Sequence, residues 1–306
     1  MAVVTFRKSG QAGGSVAQLI RGWSIEVMPR TAAKVESFRA ILPPGTRVYV
    51  AHIEGTPIDE MVATVRRITD EGFEAMPHVP ARLVADRATL DQWLGRYAGE
   101  AGATSALVLA GGPKVPAGDF HSSMQLLETG LFDAHGFRRL HVAGHPEGNR
   151  DIDPDGSSRM VDEAARWKHD FAQRSDAAMA MVTQFAFDAG PVLDWADRLA
   201  DAGVSLPVHV GVAGPAKLQT LIKFAIACGV GPSLSVLQRR ARDLTKLLLP
   251  HTPDAVLADL AKGEAAGRGR TIAAVHVFPL GGIAAAAEHM AGLARDADAS
   301  EHRGRA

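Results

Sequence analysis

One carboxylate, Glu26, stands in the stretch W-S-I-E-V-M-P-R, from Trp23 to Arg30, which reads as a buried strand. Burying an unpaired charge is costly, so a lone carboxyl in such a setting pairs, protonates or does chemistry. Histidines recur in or after other short β-branched runs: His52, His78, His145, His209 and His276. Imidazoles move protons near neutral pH and also ligate metals. A metal centre normally needs two histidines spaced on one strand, or a histidine–carboxylate set converging on one ion. The first strand has no H-x-H and His209 lies mid-strand, so pocket or core histidines are the leading reading and no metal is assigned. A metal-dependent barrel hydrolase remains the weaker alternative. Gln184, in T-Q-F-A-F-D, carries both a donor and an acceptor. That suits an amide-bearing heterocycle, and a glutamine tied to neighbouring backbone explains it equally well. Gly111 and Gly112, in L-A-G-G-P, allow backbone to approach a phosphate or a flat ring, or simply turn the chain.

These residues need a scaffold, and the hydropathy pattern supplies one. Eight apolar, β-branched runs begin near Trp23, Arg47, Phe73, Ser105, Arg139, Ala178, Leu206 and Thr271. Amphipathic stretches separate them. In P-I-D-E-M-V-A-T-V-R-R-I-T-D-E-G the apolar residues Ile58, Met61, Val62, Val65 and Ile68 fall three or four apart, as on one helix face. Eight such alternations predict an α/β chain folded as a (β/α)8 TIM barrel, with catalytic groups at the C-terminal ends of the strands. A doubly wound dinucleotide-binding sheet would carry G-x-G-x-x-G after an early strand, and none follows any strand here. Extra helical pattern between Ser233 and Gly267 reads as an insertion before the last strand. The whole of 1–306 reads as one domain, with 1–20 and 297–306 expected to fray.

Composition bounds the function. The chain has 306 residues, 46% of them apolar, which is enough for a large core, and a formal net charge of −1. Basic residues are interspersed with acids, so no nucleic-acid footprint is expected. The single cysteine, Cys228, excludes an internal disulfide framework and reads as a core thiol in F-A-I-A-C-G-V. No run approaches a membrane span or a signal-peptide core, which points to a cytoplasmic protein with no membrane partner. The oligomeric state is not fixed by the sequence.

Together these pieces resemble the methylenetetrahydrofolate reductase family. The first-strand motif, like F-E-F-F-P-P, reads I-E-V-M-P-R here. P-H-V at His78 matches the third strand, and H-P-E at His145 to Glu147 matches a Y-P-E pattern in the fifth. T-Q-F-A-F-D matches T-Q-F-F-F-D almost letter for letter, and V-H-V-F-P-L-G-G around His276 is similar to the eighth strand. The resemblance runs from Trp23 to Met290. It implies reduction of 5,10-methylenetetrahydrofolate to 5-methyltetrahydrofolate with NADH or NADPH, in a (β/α)8 barrel that binds FAD. Glu26 would be the general acid that opens the substrate's five-membered ring, giving an iminium that accepts hydride. Gln184 would bind the pterin. Phe224 would stack on the folate or nicotinamide, with Gln219 or Thr220 near a family glutamine. His52, His78, Gly111, Gly112, His145, Lys168 and His276 would lie along the cofactor. Acid catalysis near neutral pH would call for a Glu26 pKa raised by burial.

The departures gather at the flavin contacts. The family's L-R-G-D is L-A-G-G here, with Gly112 at the place of the acid. Its Y-A-S-D is F-H-S-S at Phe120 to Ser123. W-K-H-D keeps Lys168 but sets Asp170 at a second basic position, and Glu54 adds negative charge after the second strand. An acid there repels a diphosphate. Two readings follow: FAD held through altered contacts, or hydride passed directly from the nicotinamide to the folate. A non-catalytic folate-binding barrel is the alternative from a different class.

Overall fold

The computed structural model describes residues 15–227, 237 and 250–304. Eight parallel strands close into a barrel: β1 (Ser24–Val27), β2 (Arg47–Val50), β3 (Glu74–Pro80), β4 (Ser105–Leu109), β5 (Arg139–Gly144), β6 (Ala178–Ala186), β7 (Val208–Ala213) and β8 (Ile272–Phe278). Each pairs with the next in sequence, and β1 closes on β8 through Ser24↔His276 and Ile25↔Val277. All eight expected strands are present, and helices lie between them, as a (β/α)8 barrel requires.

Strand residues alternate between two environments. Ile25, Val27, Val48 and Val50 face outward and are buried with helix residues such as Met61, Val65 and Ile68 in the main core. Their neighbours face inward. Tyr49, Met76, Leu107 and Val182 form a small separate apolar cluster there. Around it the interior is unusually polar for a fold whose barrel is normally filled by branched aliphatics. At the N-terminal end, Glu74 takes Arg47 at 3.0 Å, Arg139 at 2.8 Å and the Ser105 hydroxyl at 2.7 Å.

Of the first twenty residues, Val16–Leu19 form a short helix capped by Ser15, and Leu19 and Ile20 are buried. The last helix, Ile283–Gly304, runs through most of the charged end. Among the described residues, the helices Leu218–Ala227 and Asp254–Ala265 stand between β7 and β8. An antiparallel bridge, Ala216↔His251, ties the two ends of that segment together. Cys228 and most of the expected helical piece from Ser235 to Pro250 lie outside the described residues. No helix among the described residues is long and apolar enough to cross a membrane.

Candidate functional site

The inward alternation of three strands brings Glu26, His78 and His276 together. Glu26 is the third residue of β1, and its side chain is 20% exposed. Its Oε2 lies 3.3 Å from Nε2 of His78 on β3 and 3.8 Å from Nε2 of His276 on β8. Both histidines are buried, and neither Nε2 makes a hydrogen bond of ordinary geometry. Nδ1 of His276 is engaged from behind by the Ser24 hydroxyl at 2.9 Å. The rings of Tyr49, at 4.4 Å, and Phe278, at 4.8 Å, pack on the His276 imidazole.

The charge state of Glu26 differs from the sequence expectation. Burial pushes its pKa up, but the facing imidazoles of His276 and His78 outweigh it, and the carboxyl is held at about 2. The sequence around Glu26 shows only its strand neighbours Ile25 and Val27, which face away into the helix layer. The two groups that decide its ionisation come from strands 52 and 250 residues further on. His276 itself is held below the usual histidine range by burial, against the pull of Glu26, and is neutral at pH 7.

A second polar group joins His209, which the sequence singled out, to Tyr49 and His141, which it did not. The Tyr49 hydroxyl meets Nδ1 of His141 at 2.5 Å, and the His141 ring sits edge-on to His209 at 4.8 Å. Burial holds His141 well below its usual range and His209 at about 3, so both are neutral near pH 7. Tyr49 is fully buried, and burial raises its pKa to beyond the normal phenol range. The available signal was an aromatic hydroxyl one residue out of phase with the valines of R-V-Y-V, a position that must face inward.

A bulge in β6 positions Gln184. The pairing of β6 with β7 slips between Val182 and Phe185. The Thr183 hydroxyl accepts from the Gly211 amide at 2.9 Å and donates to the Gln184 carbonyl at 2.8 Å. A Cβ at Gly211 would sit 2.5 Å from that carbonyl oxygen, so only glycine lets the strands approach this closely. The slip leaves the Gln184 side chain exposed, with Phe185 buried beside it. The T-Q-F run is therefore a structural device that presents an amide, rather than a glutamine in an apolar setting. Phe224 lies half-buried in Leu218–Ala227, packed on the cluster of Phe185, Phe187 and Phe278. Gln219, on the same helix, is exposed, and Thr220 is half-buried.

The residues expected along a flavin are placed otherwise. Lys168 is buried, and its Nζ donates to the Ala143 carbonyl at 2.7 Å; burial lowers its pKa to about 8. Burial, and then the nearby Lys168, hold His145 at about 3. His52 uses Nε2 on the Thr56 carbonyl at 3.0 Å and packs its ring 4.9 Å from Trp93, and burial lowers its pKa. Gly111, just past β4, has φ +95°, and a Cβ there would meet the Pro80 Cβ at 2.9 Å. The loop is thus folded tightly against the end of β3. Gly112 has open space around it. None of these residues offers a free cation to a diphosphate, so the set does not fit FAD as the resemblance would hold it. Among the described residues no group of three or more His, Cys, Asp or Glu has metal-holding geometry.

No protein-family model matches the chain. Among solved structures, an uncharacterized protein from Clostridium thermocellum, described as binding two copies of 5-methyl-5,6,7,8-tetrahydrofolic acid, is similar with a TM-score of 0.53 at 12% identity, over 90% of this chain and 94% of that one. A Yersinia pestis DHPS with a pterine-sulfa conjugate gives a TM-score of 0.43 at 12% identity, over 94% of this chain and 98% of that one. At such identity the first likeness speaks to the barrel fold.

Proposed function

We propose that this barrel binds a reduced folate at its C-terminal mouth and reduces 5,10-methylenetetrahydrofolate with NADH or NADPH. The observation that carries the reading is the convergence of Glu26, His78 and His276, the three first-, third- and eighth-strand residues of the resemblance, into one cluster. Gln184, presented by the β6 bulge, supports it as the amide that would pair with a pterin edge. The similar Clostridium thermocellum barrel, described as binding 5-methyl-5,6,7,8-tetrahydrofolic acid, supports a folate ligand.

Glu26 is ionised in the open site, and an acid must first take up a proton. Its pKa reflects burial opposed by two imidazoles. A seated folate removes the remaining water from its 20% exposed side chain, which strengthens burial and raises the pKa. Proton uptake on binding would then arm the acid next to the folate nitrogen. Protonating that nitrogen opens the five-membered ring to an iminium, and hydride from the nicotinamide completes the reduction. Because Lys168 and His52 are committed to backbone carbonyls, direct transfer from the nicotinamide is the favoured route over FAD.

A second reading is favoured by the low Glu26 pKa itself: a folate-binding barrel without turnover, in which the carboxylate only accepts N–H donors from the ligand. One set of measurements separates the two. NADH or NADPH oxidation is followed with methylenetetrahydrofolate, alongside calorimetric titration of 5-methyltetrahydrofolate. Turnover that falls at least about 100-fold in Glu26→Gln supports the reductase. Tight binding with no turnover by the wild type establishes the second reading. A colourless sample that turns over supports direct transfer, and flavin absorption at stoichiometric level overturns it.

A further inference from the structure

Charge inside the barrel is unevenly placed. The eight strands hold four charged residues: Glu26, Arg47, Glu74 and Arg139. Glu26 belongs to the cluster at the mouth. The other three meet at the N-terminal end, where both arginines close on the one Glu74 carboxylate, at 3.0 and 2.8 Å. Burial pushes Glu74 up, but its contacts with Arg47, Ser105 and Arg139 outweigh it, so the carboxylate is ionised. Arginine keeps its proton at any working pH. The group therefore sets two positive charges against one negative, and the buried Nε of Arg47 has no hydrogen-bond partner.

This excess lies among the roots of the interior imidazoles. Ser24 is in register with Arg47 on one side and with His276 on the other. His141 stands two residues up β5 from Arg139, on the same face of the strand. Glu26 faces these rings from β1, Arg47 and Tyr49 from β2, Glu74 and His78 from β3, Arg139 and His141 from β5, His209 from β7 and His276 from β8. Burial is the largest cause holding His141, His209 and His276 below the usual range, and repulsion by Arg47 adds to it in all three, although Glu26 pulls His276 the other way. Glu26, by contrast, answers to burial and to the imidazoles of His276 and His78.

A proton taken up in the closed site has two kinds of resting place. On Glu26 it cancels a negative charge and creates no cation. On an interior imidazole it creates a new cation close to guanidinium charge that Glu74 leaves uncompensated. Like charges repel strongly in a medium of low dielectric. We propose that Arg47 and Arg139 are positioning residues whose excess positive charge bars His141, His209 and His276 from becoming imidazolium, and so directs the proton to Glu26. This deepens the reading of Glu26 as the acid of the site, and rests on it. The arginines act through the imidazoles above them and touch no reacting atom.

The test uses the full chain with 15N-labelled histidine, free and saturated with 5-methyltetrahydrofolate. Long-range 1H–15N spectra separate imidazole from imidazolium, and the signals are assigned by their loss in His141→Gln, His209→Gln and His276→Gln. Arg139→Gln is the first variant, because its side chain is 39% exposed against 16% for Arg47. Arg139→Lys keeps the charge on a different shape. On titration from pH 8 to 4, wild type is expected to hold all three imidazoles neutral down to pH 5, free and bound. In Arg139→Gln at least one of them is expected to titrate about one pH unit higher, and Arg139→Lys to match wild type. In the oxidation assay, kcat of Arg139→Gln is expected to fall about 10-fold at pH 6 with KM for the folate little changed, and Arg139→Lys to recover it. An imidazolium among the three in the wild-type complex at pH 6, or an unchanged titration in Arg139→Gln, overturns the proposal. If Arg139→Gln does not fold, Arg47→Gln against Arg47→Lys carries the same comparison, and the wild-type complex still decides where the proton lands. The spectra of the free protein do not depend on catalysis. Imidazoles that gain charge in Arg139→Gln, with no turnover by the wild type, count against the reductase and for the electrostatic role of the arginines.

Discussion

Glu26→Gln tests the balance of forces at the mouth of the barrel through stability as well as activity. Glutamine approximates the neutral acid in size and shape. Glu26 goes from an ordinary 4.5 in the unfolded chain to about 2 in the fold. A folded pKa below the unfolded one stabilises above pH 4.5 and loses that stability as the pH falls through 2. The full difference, roughly 2.5 units at about 1.4 kcal/mol each, sets an upper bound of about 3.5 kcal/mol in favour of the wild type at pH 7. The same linkage gives the pH dependence: the wild-type advantage shrinks by about 0.8 kcal/mol on going to pH 4, and by about 2 kcal/mol at pH 3. Other carboxylates titrate in this window too, Glu71 and Glu74 among them. The quantity to measure is therefore the wild-type minus variant difference, from urea unfolding at pH 7, 5 and 4. If Glu26→Gln is the more stable protein at pH 7, burial outweighs the imidazoles and the carboxyl is raised, not lowered. A difference that does not change with pH would likewise sink the ion-pair account.

Three further perturbations probe the surrounding shell. Tyr49→Phe removes the hydroxyl on Nδ1 of His141 and leaves a buried acceptor or donor unpaired; urea unfolding is expected to show a loss of about 1–3 kcal/mol, with folate affinity little changed. Gly111→Ala is expected to destabilise by about 1–2 kcal/mol, because φ is +95° and the added Cβ meets Pro80, whereas Gly112→Ala, with open space around it, stays within about 0.5 kcal/mol in the same melts. Lys168 has its pKa lowered by burial from 10.5 to about 8, so the wild type is expected to gain about 2 kcal/mol between pH 7 and 9.5, as the folded state sheds its proton before the unfolded chain does. Lys168→Met should lack that gain, and a variant with the same rise would assign it to another group.

How much of this was legible in the sequence depends on which distances matter. The eight strands were, because each is a run of buried residues a few positions long and its register follows from local hydropathy. The members of the site were legible by position: Glu26, His78 and His276 each sit at an inward place on a strand, and the barrel closes them on one another. Their electrostatics were not. A parallel strand covered on both faces reads as a continuous apolar run, so inward and outward residues look alike. Glu26 between Ile25 and Val27 therefore looks solvated by hydrocarbon, although its two strand neighbours point away and its true surroundings are imidazoles from across the barrel. Tyr49 was hidden in the same way between Val48 and Val50. Lys168 shows the converse error: its motif suggested a cation offered to a ligand, while the fold spends the ammonium on the Ala143 carbonyl. The same inversion bears on mechanism. A carboxyl held ionised by the imidazoles that face it gives up no proton at rest. A folate that does chemistry here must bring about its protonation by displacing water from Glu26, and proton uptake on binding is the quantity that follows. Calorimetry of 5-methyltetrahydrofolate binding in buffers of different ionisation enthalpy is expected to show up to one proton taken up near pH 6, and none in Glu26→Gln. Uptake that survives the substitution would move the acid to another residue.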